Sequence, residues 1–198
     1  MAVSETFYDA CGIILTLVRG TKIADLGCGL GAWGYVIKCK FNNRIYLVGL
    51  DINPANLYRI KYHRVYDDLI LAALPYIPFR AKSFDTILCC DVIEHLSKDN
   101  GLRLVKKAET VARRRVIITT PSSRIVFSSP EHISAWSARD FKRLGYKVMG
   151  LRFRHHTYFN SLRYMIIWLF NLVGRFITQL ASILIAYKDL DRSLGEDE

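Results

Sequence analysis

Two hydrophobic periods take turns along the chain. Short, mostly apolar runs (KIADL, IYLVGL, FDTILCC, VIITT) end at Gly, Asp, Cys or Pro, and each is followed by a stretch whose apolar positions recur every three to four residues. Runs of this length fit strands buried on both faces, and the longer period fits amphipathic helices. Their alternation predicts βαβ units and a mostly parallel sheet in an α/β fold. Strands are expected over 21–26, 44–50, 69–72, 84–90, 116–120, 146–153 and 180–188. Helices are expected over 7–18, 30–40, from Pro54 onward, 99–113 and 139–144. Pro54 suits a first helical turn, where its missing N–H is harmless. Arg113, Arg114 and Arg115 are expected to close the fourth of these helices, at the negative end of its dipole.

The 198 residues suit one α/β domain, expected over 1–188, with 189–198 as an acidic flexible tail. Half the residues are apolar and 12% aromatic, which excludes a disordered chain. The five cysteines include no CxxC pair, so reduced thiols in a cytoplasmic protein are expected rather than a zinc or disulfide framework. The N-terminus has no secretory pattern. A net charge of +10 favours anionic partners, nucleic acid or an acidic membrane surface, without choosing between them.

The stretch 164–186 is long and apolar enough to span a bilayer, but Arg175 lies at its centre, with Asn171 and Gln179 four residues to either side. A central Arg opposes insertion, and the spacing puts all three on one narrow helical stripe. A buried or docked apolar helix over 161–179, between the last two strands, is expected. Core packing or a homodimer face is its first use, and peripheral membrane contact or cover for a lipophilic acceptor its second.

Ligands of open α/β sheets bind beyond the carboxyl ends of the strands. There the sequence offers Asp25-Leu26-Gly27-Cys28-Gly29-Leu30-Gly31, a glycine-rich turn between strand and helix, and Asp51 at the tip of the second strand. Glycines let the backbone approach a ligand, and a carboxylate at the second tip can accept ribose hydroxyls from NAD or an adenosyl compound. Asp51 could equally cap the helix at Pro54. The GxGxG spacing differs from the GxGxxG of dinucleotide folds.

The ordered set DLGCGLGAWGY, GLDINP, LPYIPFRAKSFDTILCCDVIEHL and VIITTPS resembles class I S-adenosylmethionine-dependent methyltransferases, most closely the type 11 family, from Lys22 to Gly150. The resemblance implies a Rossmann-like seven-stranded, mostly parallel sheet with helices on both faces and the last strand antiparallel. It implies S-adenosylmethionine as cofactor. Asp25 would lie near the methionine amino group, with Gly27, Cys28 and Gly29 against the cofactor. Asp51 would hold the ribose and Ile52 the adenine, with Cys90 and Asp91 on the methionine side. Ala73 stands where the family usually carries an acid near the adenine, leaving Leu74 to offer its N–H and Asp67 or Asp68 to substitute.

Methyl transfer from a sulfonium relies chiefly on in-line positioning. His132 is the candidate base or acceptor-positioning group, with Asp91 beside it. No metal is expected. The alternative is a divalent ion on Asp91, Glu94, His95 and His132, an arrangement similar to that of small-RNA 2′-O-methyltransferases and quinone-biosynthesis O-methyltransferases. Trp136 and Tyr158 could shape an acceptor pocket or simply pack. His155 and His156, beside Arg152 and Arg154, could meet phosphate. The expected function is methyl transfer to an oxygen or nitrogen nucleophile of a small or lipophilic molecule. The alternatives are an RNA acceptor, or a methyltransferase fold that binds without turnover.

Overall fold

The computed structural model describes residues 5–42, 44–123, 126, 129–151, 178 and 181–191. Apart from Thr178, the expected helix over 161–179 lies outside them. So do Arg152, Arg154, His155, His156, Tyr158 and the tail beyond Asp191.

Helix α1 (Glu5–Leu17) leads into β1 (Lys22–Leu26), α2 (Ala32–Lys40), β2 (Tyr46–Asp51), α3 (Pro54–Tyr62) and β3 (Asp68–Leu71). Strand β4 (Phe84–Cys90), the 3-10 turn Ile93–His95, α4 (Lys98–Val111) and β5 (Ala112–Pro121) follow. The described chain then adds α5 (Ala138–Arg143), β6 (Lys147–Leu151) and β7 (Ile183–Asp189). The seven strands form one sheet in the order β3-β2-β1-β4-β5-β7-β6, parallel throughout except that β7 runs antiparallel to β5 and β6. Strand order reverses between β1 and β4, and that switch point is where such sheets open a ligand crevice.

Mostly apolar strands bury both faces, so alternate residues feed two cores. Ala24, Leu26, Val48, Leu50, Ile87, Cys89, Val116 and Ile118 pack with α4 and α5 through Leu104, Val105, Ala108 and Phe141. Ile23, Leu47, Leu88, Cys90, Ile117 and Ile185 turn the other way, against Ile14 of α1, Ile37 of α2 and Leu57 and Ile60 of α3. Among the described residues no helix is long and apolar enough to cross a membrane.

Three expectations change. Arg113, Arg114 and Arg115 do not end a helix. Helix α4 stops at Val111, and all three lie in β5, whose early residues pair with β4 and β7. Arg113 and Arg114 meet Asp85, while buried Arg115 bonds Asp189 and donates to the Leu17 carbonyl at 2.8 Å. Asp189 is therefore the last residue of β7 rather than the first of a tail. The cap of α3 is Asn53, whose side chain accepts the Ala55 N–H at 2.9 Å, and not Asp51.

Buried Tyr66, in the link before β3, runs through a slot lined by glycines and donates its hydroxyl to Asp25 Oδ2 at 2.7 Å. A Cβ on Gly34 would lie 2.4 Å from the Tyr66 ring, and one on Gly49 would lie 3.0 Å away. Gly34→Ala is therefore expected to destabilise the fold by about 1–3 kcal/mol through overpacking. Thermal unfolding measures it, and an unchanged midpoint would mean that the slot has slack.

Candidate functional site

The carboxyl ends of β1 and β2 are tied together by backbone and one carboxylate. The N–H groups of Gly27 and Cys28 both donate to the Leu50 carbonyl, at 2.7 and 3.0 Å. Asp51, 7% exposed, accepts the Gly29 N–H at Oδ2 and the Asn53 N–H at Oδ1, each at 2.8 Å. One side chain thus fixes both the glycine turn and the start of α3. Gly27 and Gly29 both have positive φ, 75° and 53°, for different ends. A Cβ on Gly27 would strike Val92 at 2.3 Å, whereas one on Gly29 would meet no protein atom within 4 Å. Gly29 borders open space that a ligand can approach closely.

Asp25 sits beneath this turn and is 1% exposed. Tyr66 satisfies Oδ2, but Oδ1 is buried without a hydrogen-bond partner. Burial raises its pKa to about 6 against the Tyr66 hydrogen bond, with help from the Asp51 charge. Tyr66 stays protonated, because burial and the adjacent carboxylate push its own pKa well up. A buried, unpaired carboxylate oxygen is costly unless something else pairs with it. These acceptors fit a ligand that brings an ammonium to Asp25 and hydroxyls to Asp51.

The other expected cofactor residues sit at the same end of the sheet. Ile52 is 68% exposed and Ala73 is also exposed, so both could present to a ligand. Leu74 packs partly against the core. Asp67 and Asp68 cannot replace the acid missing at Ala73. Asp67 holds Lys38 at 2.7 Å and the Leu47 N–H at 2.6 Å, and Asp68 accepts from Tyr46, all at the amino ends of the strands. Cys28 and Cys90 are buried, and desolvation raises both thiols, so they serve as packing rather than nucleophiles. All five cysteines are free.

Beyond β4, Asp91 has φ 55°, and its N–H and Oδ1 engage Thr119 of β5, at 3.2 Å to Oγ1 and 3.1 Å from it. Fully buried Glu94 accepts the Thr120 hydroxyl at Oε2, 3.0 Å away, while Oε1 has no partner. Burial, reinforced by the Asp91 charge, pushes Glu94 up to about 8, so it is mostly a neutral acid at pH 7. The Glu94 carbonyl accepts the N–H groups of Ile133 and Ser134 and so holds the loop that carries His132.

His95 and His132 stand edge to face with ring centroids 4.9 Å apart. His95 Nδ1 meets the Glu131 carbonyl at 3.0 Å and His132 Nδ1 the Val126 carbonyl. Carbonyls only accept, so each Nδ1 carries a proton, and in the neutral form of either ring Nε2 is the open lone pair. One ligand-capable atom from each of Glu94, His95 and His132 lies within 4.8 Å of the others. Asp91 is outside that group, so three of the four expected residues converge. Trp136 lines no pocket mouth. It is fully buried, stacked on Phe141 at 5.4 Å, and donates to Ser134 Oγ at 3.0 Å.

Strand order, switch point and acidic second-strand tip define a Rossmann-like class I methyltransferase fold. Comparison with known proteins agrees. Residues 24–119 match the family model described as methyltransferase domain. A solved structure of a SAM dependent methyltransferase from Archaeoglobus fulgidus superposes with a TM-score of 0.61 at 16% identity, covering 93% of this chain and 96% of that one. The uncharacterized protein MJ0638 of Methanocaldococcus jannaschii is 24% identical over 97% of this chain and 80% of its own length. The human probable tRNA methyltransferase 9B is 33% identical over 46% of this chain but only 19% of its own. Residues 24–119 are thus a type 11 methyltransferase domain, set in a fold shared with S-adenosylmethionine-dependent methyltransferases.

Proposed function

We propose that the chain transfers the sulfonium methyl of S-adenosylmethionine to an oxygen or nitrogen nucleophile seated beyond β4 and β5. The observation that carries this reading is the unpaired, fully buried Asp25 Oδ1 beside the glycine turn that Asp51 organises. When bound, S-adenosylmethionine supplies an electrophilic methyl. Asp25 would pair with the methionine ammonium, and Gly27, Cys28 and Gly29 would give it backbone contact. Asp51 would take the ribose hydroxyls, Ile52 would face the adenine and the Leu74 N–H its ring, with Ala73 leaving that edge without a carboxylate. Cys90 and Asp91 would line the methionine side. His132 Nε2, left as a lone pair by the Val126 bond, would position the acceptor or take its proton.

A small-molecule acceptor is the first reading. Lipophilic cover, a homodimer or a membrane contact through 161–179 would draw on residues outside the described ones. An RNA acceptor is the second reading, favoured by the net charge of +10 and the similarity to a protein named as a tRNA methyltransferase. Five free thiols suit a cytoplasmic setting.

The test is transfer of labelled methyl from S-adenosylmethionine to bulk RNA and, separately, to a small-molecule extract. Label in either fraction supports turnover and selects the acceptor class. Cofactor binding with label in neither would favour a protein that keeps the fold without catalysis.

A further inference from the structure

A cavity of about 690 Å3 opens beside the end of β5 and is lined by Ser122, Ser123, Arg139, Lys142, Arg143 and Thr178, among others. Among the described residues its lining holds three cations and several hydroxyls, and no carboxylate. Among the described residues no acid pairs with Arg139, Lys142 or Arg143. The acid of α5, Asp140, is already taken by the Ser137 N–H at 2.8 Å and Lys98 at 3.2 Å. Ser122 is among the lining residues and is 5% exposed, and its hydroxyl is buried without a hydrogen-bond partner. A buried orphan hydroxyl costs stability unless a ligand meets it. Ser122 follows Thr119 and Thr120, which hold Asp91 and Glu94, so the cavity adjoins the rim proposed for the acceptor.

From these features we propose that this cavity binds a phosphate group of the methyl acceptor, on Arg139, Lys142, Arg143 and the Ser122 hydroxyl. Guanidinium and ammonium groups with hydroxyl donors match a phosphate's several acceptor oxygens. The volume lies within the range of small-ligand sites and admits a nucleotide-sized group. The inference rests on the methyl-transfer reading only in calling the ligand the acceptor; phosphate binding stands or falls separately. Phosphate can come from a phosphorylated small molecule or from an RNA backbone.

The test compares wild type with Arg139→Ala/Lys142→Ala/Arg143→Ala, and with Lys40→Ala/Arg59→Ala/Lys61→Ala as an equal change of charge on α2 and α3. Binding of inorganic pyrophosphate and of a fluorescent single-stranded RNA is measured across a salt series. Thermal unfolding and S-adenosylmethionine titration verify each fold. The α5 variant should lose at least tenfold in affinity for whichever probe wild type binds, with the control far less affected. If that probe is RNA, its log–log salt slope should flatten by about two. Pyrophosphate binding alone points to a phosphorylated small molecule, and RNA binding to a polynucleotide; either supports the site. Equal losses in both variants, no loss in the α5 variant, or no binding of either probe to wild type at millimolar concentration overturns it. Loss confined to the α5 variant without cofactor binding would instead sink the methyl-transfer reading and leave the cavity assigned.

Discussion

Asp51→Ala is expected to weaken S-adenosylmethionine binding at least a hundredfold, about 2.8 kcal/mol, in a calorimetric titration. The loss has two sources that act together. The carboxylate is the proposed acceptor for both ribose hydroxyls, and removing it leaves a ligand diol without its partner. It is also the brace of the site, since Gly29 and Asn53 both donate to it at 2.8 Å. Without it those N–H groups lose their acceptor, and the turn that must fit the ligand is no longer held. Asp51→Asn separates the two roles. Its remaining carbonyl oxygen can serve one N–H, but its amide nitrogen faces the other donor to donor, so binding should stay weak while the fold survives. Unchanged affinity in either variant would remove Asp51 from the cofactor site.

What the sequence makes legible here is local. The β4 boundaries follow from the mostly apolar run FDTILCC, and the glycine turn from GxGxG after a strand, because each depends on neighbours within a few residues. The arginine run fails for the opposite reason. Dipole logic puts three cations at a helix end, but their partners are Asp85 and Asp189, 28 and 74 residues away from Arg113 and Arg115, and those partners extend β5 instead. The cap of α3 falls two residues later than the expected Asp51: Pro54 at the first helical position makes Asn53 the cap, and geometry commits Asp51 to the glycine turn.

Tyr66 had no signal at all in the sequence. Its role comes from Gly31, Gly34 and Gly49, on two strand–helix units, standing aside for one ring that reaches Asp25. A tyrosine seven residues ahead of Ala73, rather than a substitute acid, is what the chain adds to this end of the sheet. Asp67 and Asp68 looked near enough in sequence, yet parallel pairing places them at the far end of β2 and β3. Period-two reading gives the face of a residue; which end of the sheet it occupies depends on the crossover.

Asp25→Asn should move stability and function in opposite directions. The folded pKa of Asp25 is about 6, above its ordinary 3.8, so the folded chain holds this proton more tightly than the unfolded chain. Below pH 4 both states are protonated and the full stability is present. As pH rises through 6 the folded protein must ionise a carboxyl with one oxygen unpaired, and about 3 kcal/mol of that stability is lost. The amide keeps an acceptor for the Tyr66 hydroxyl and never ionises. The variant should therefore unfold at higher denaturant than wild type at pH 7.5, with the gap closing near pH 4. Cofactor binding should show the reverse. If the ionised Asp25 pairs with the ligand ammonium, wild-type affinity should rise about tenfold per pH unit below 6 and level off above it. The variant should bind weakly with no such slope. A wild-type affinity that is flat from pH 5 to 7 would place the ammonium elsewhere. A variant no more stable than wild type at pH 7.5 would mean that the Asp25 charge already has a partner in the free protein.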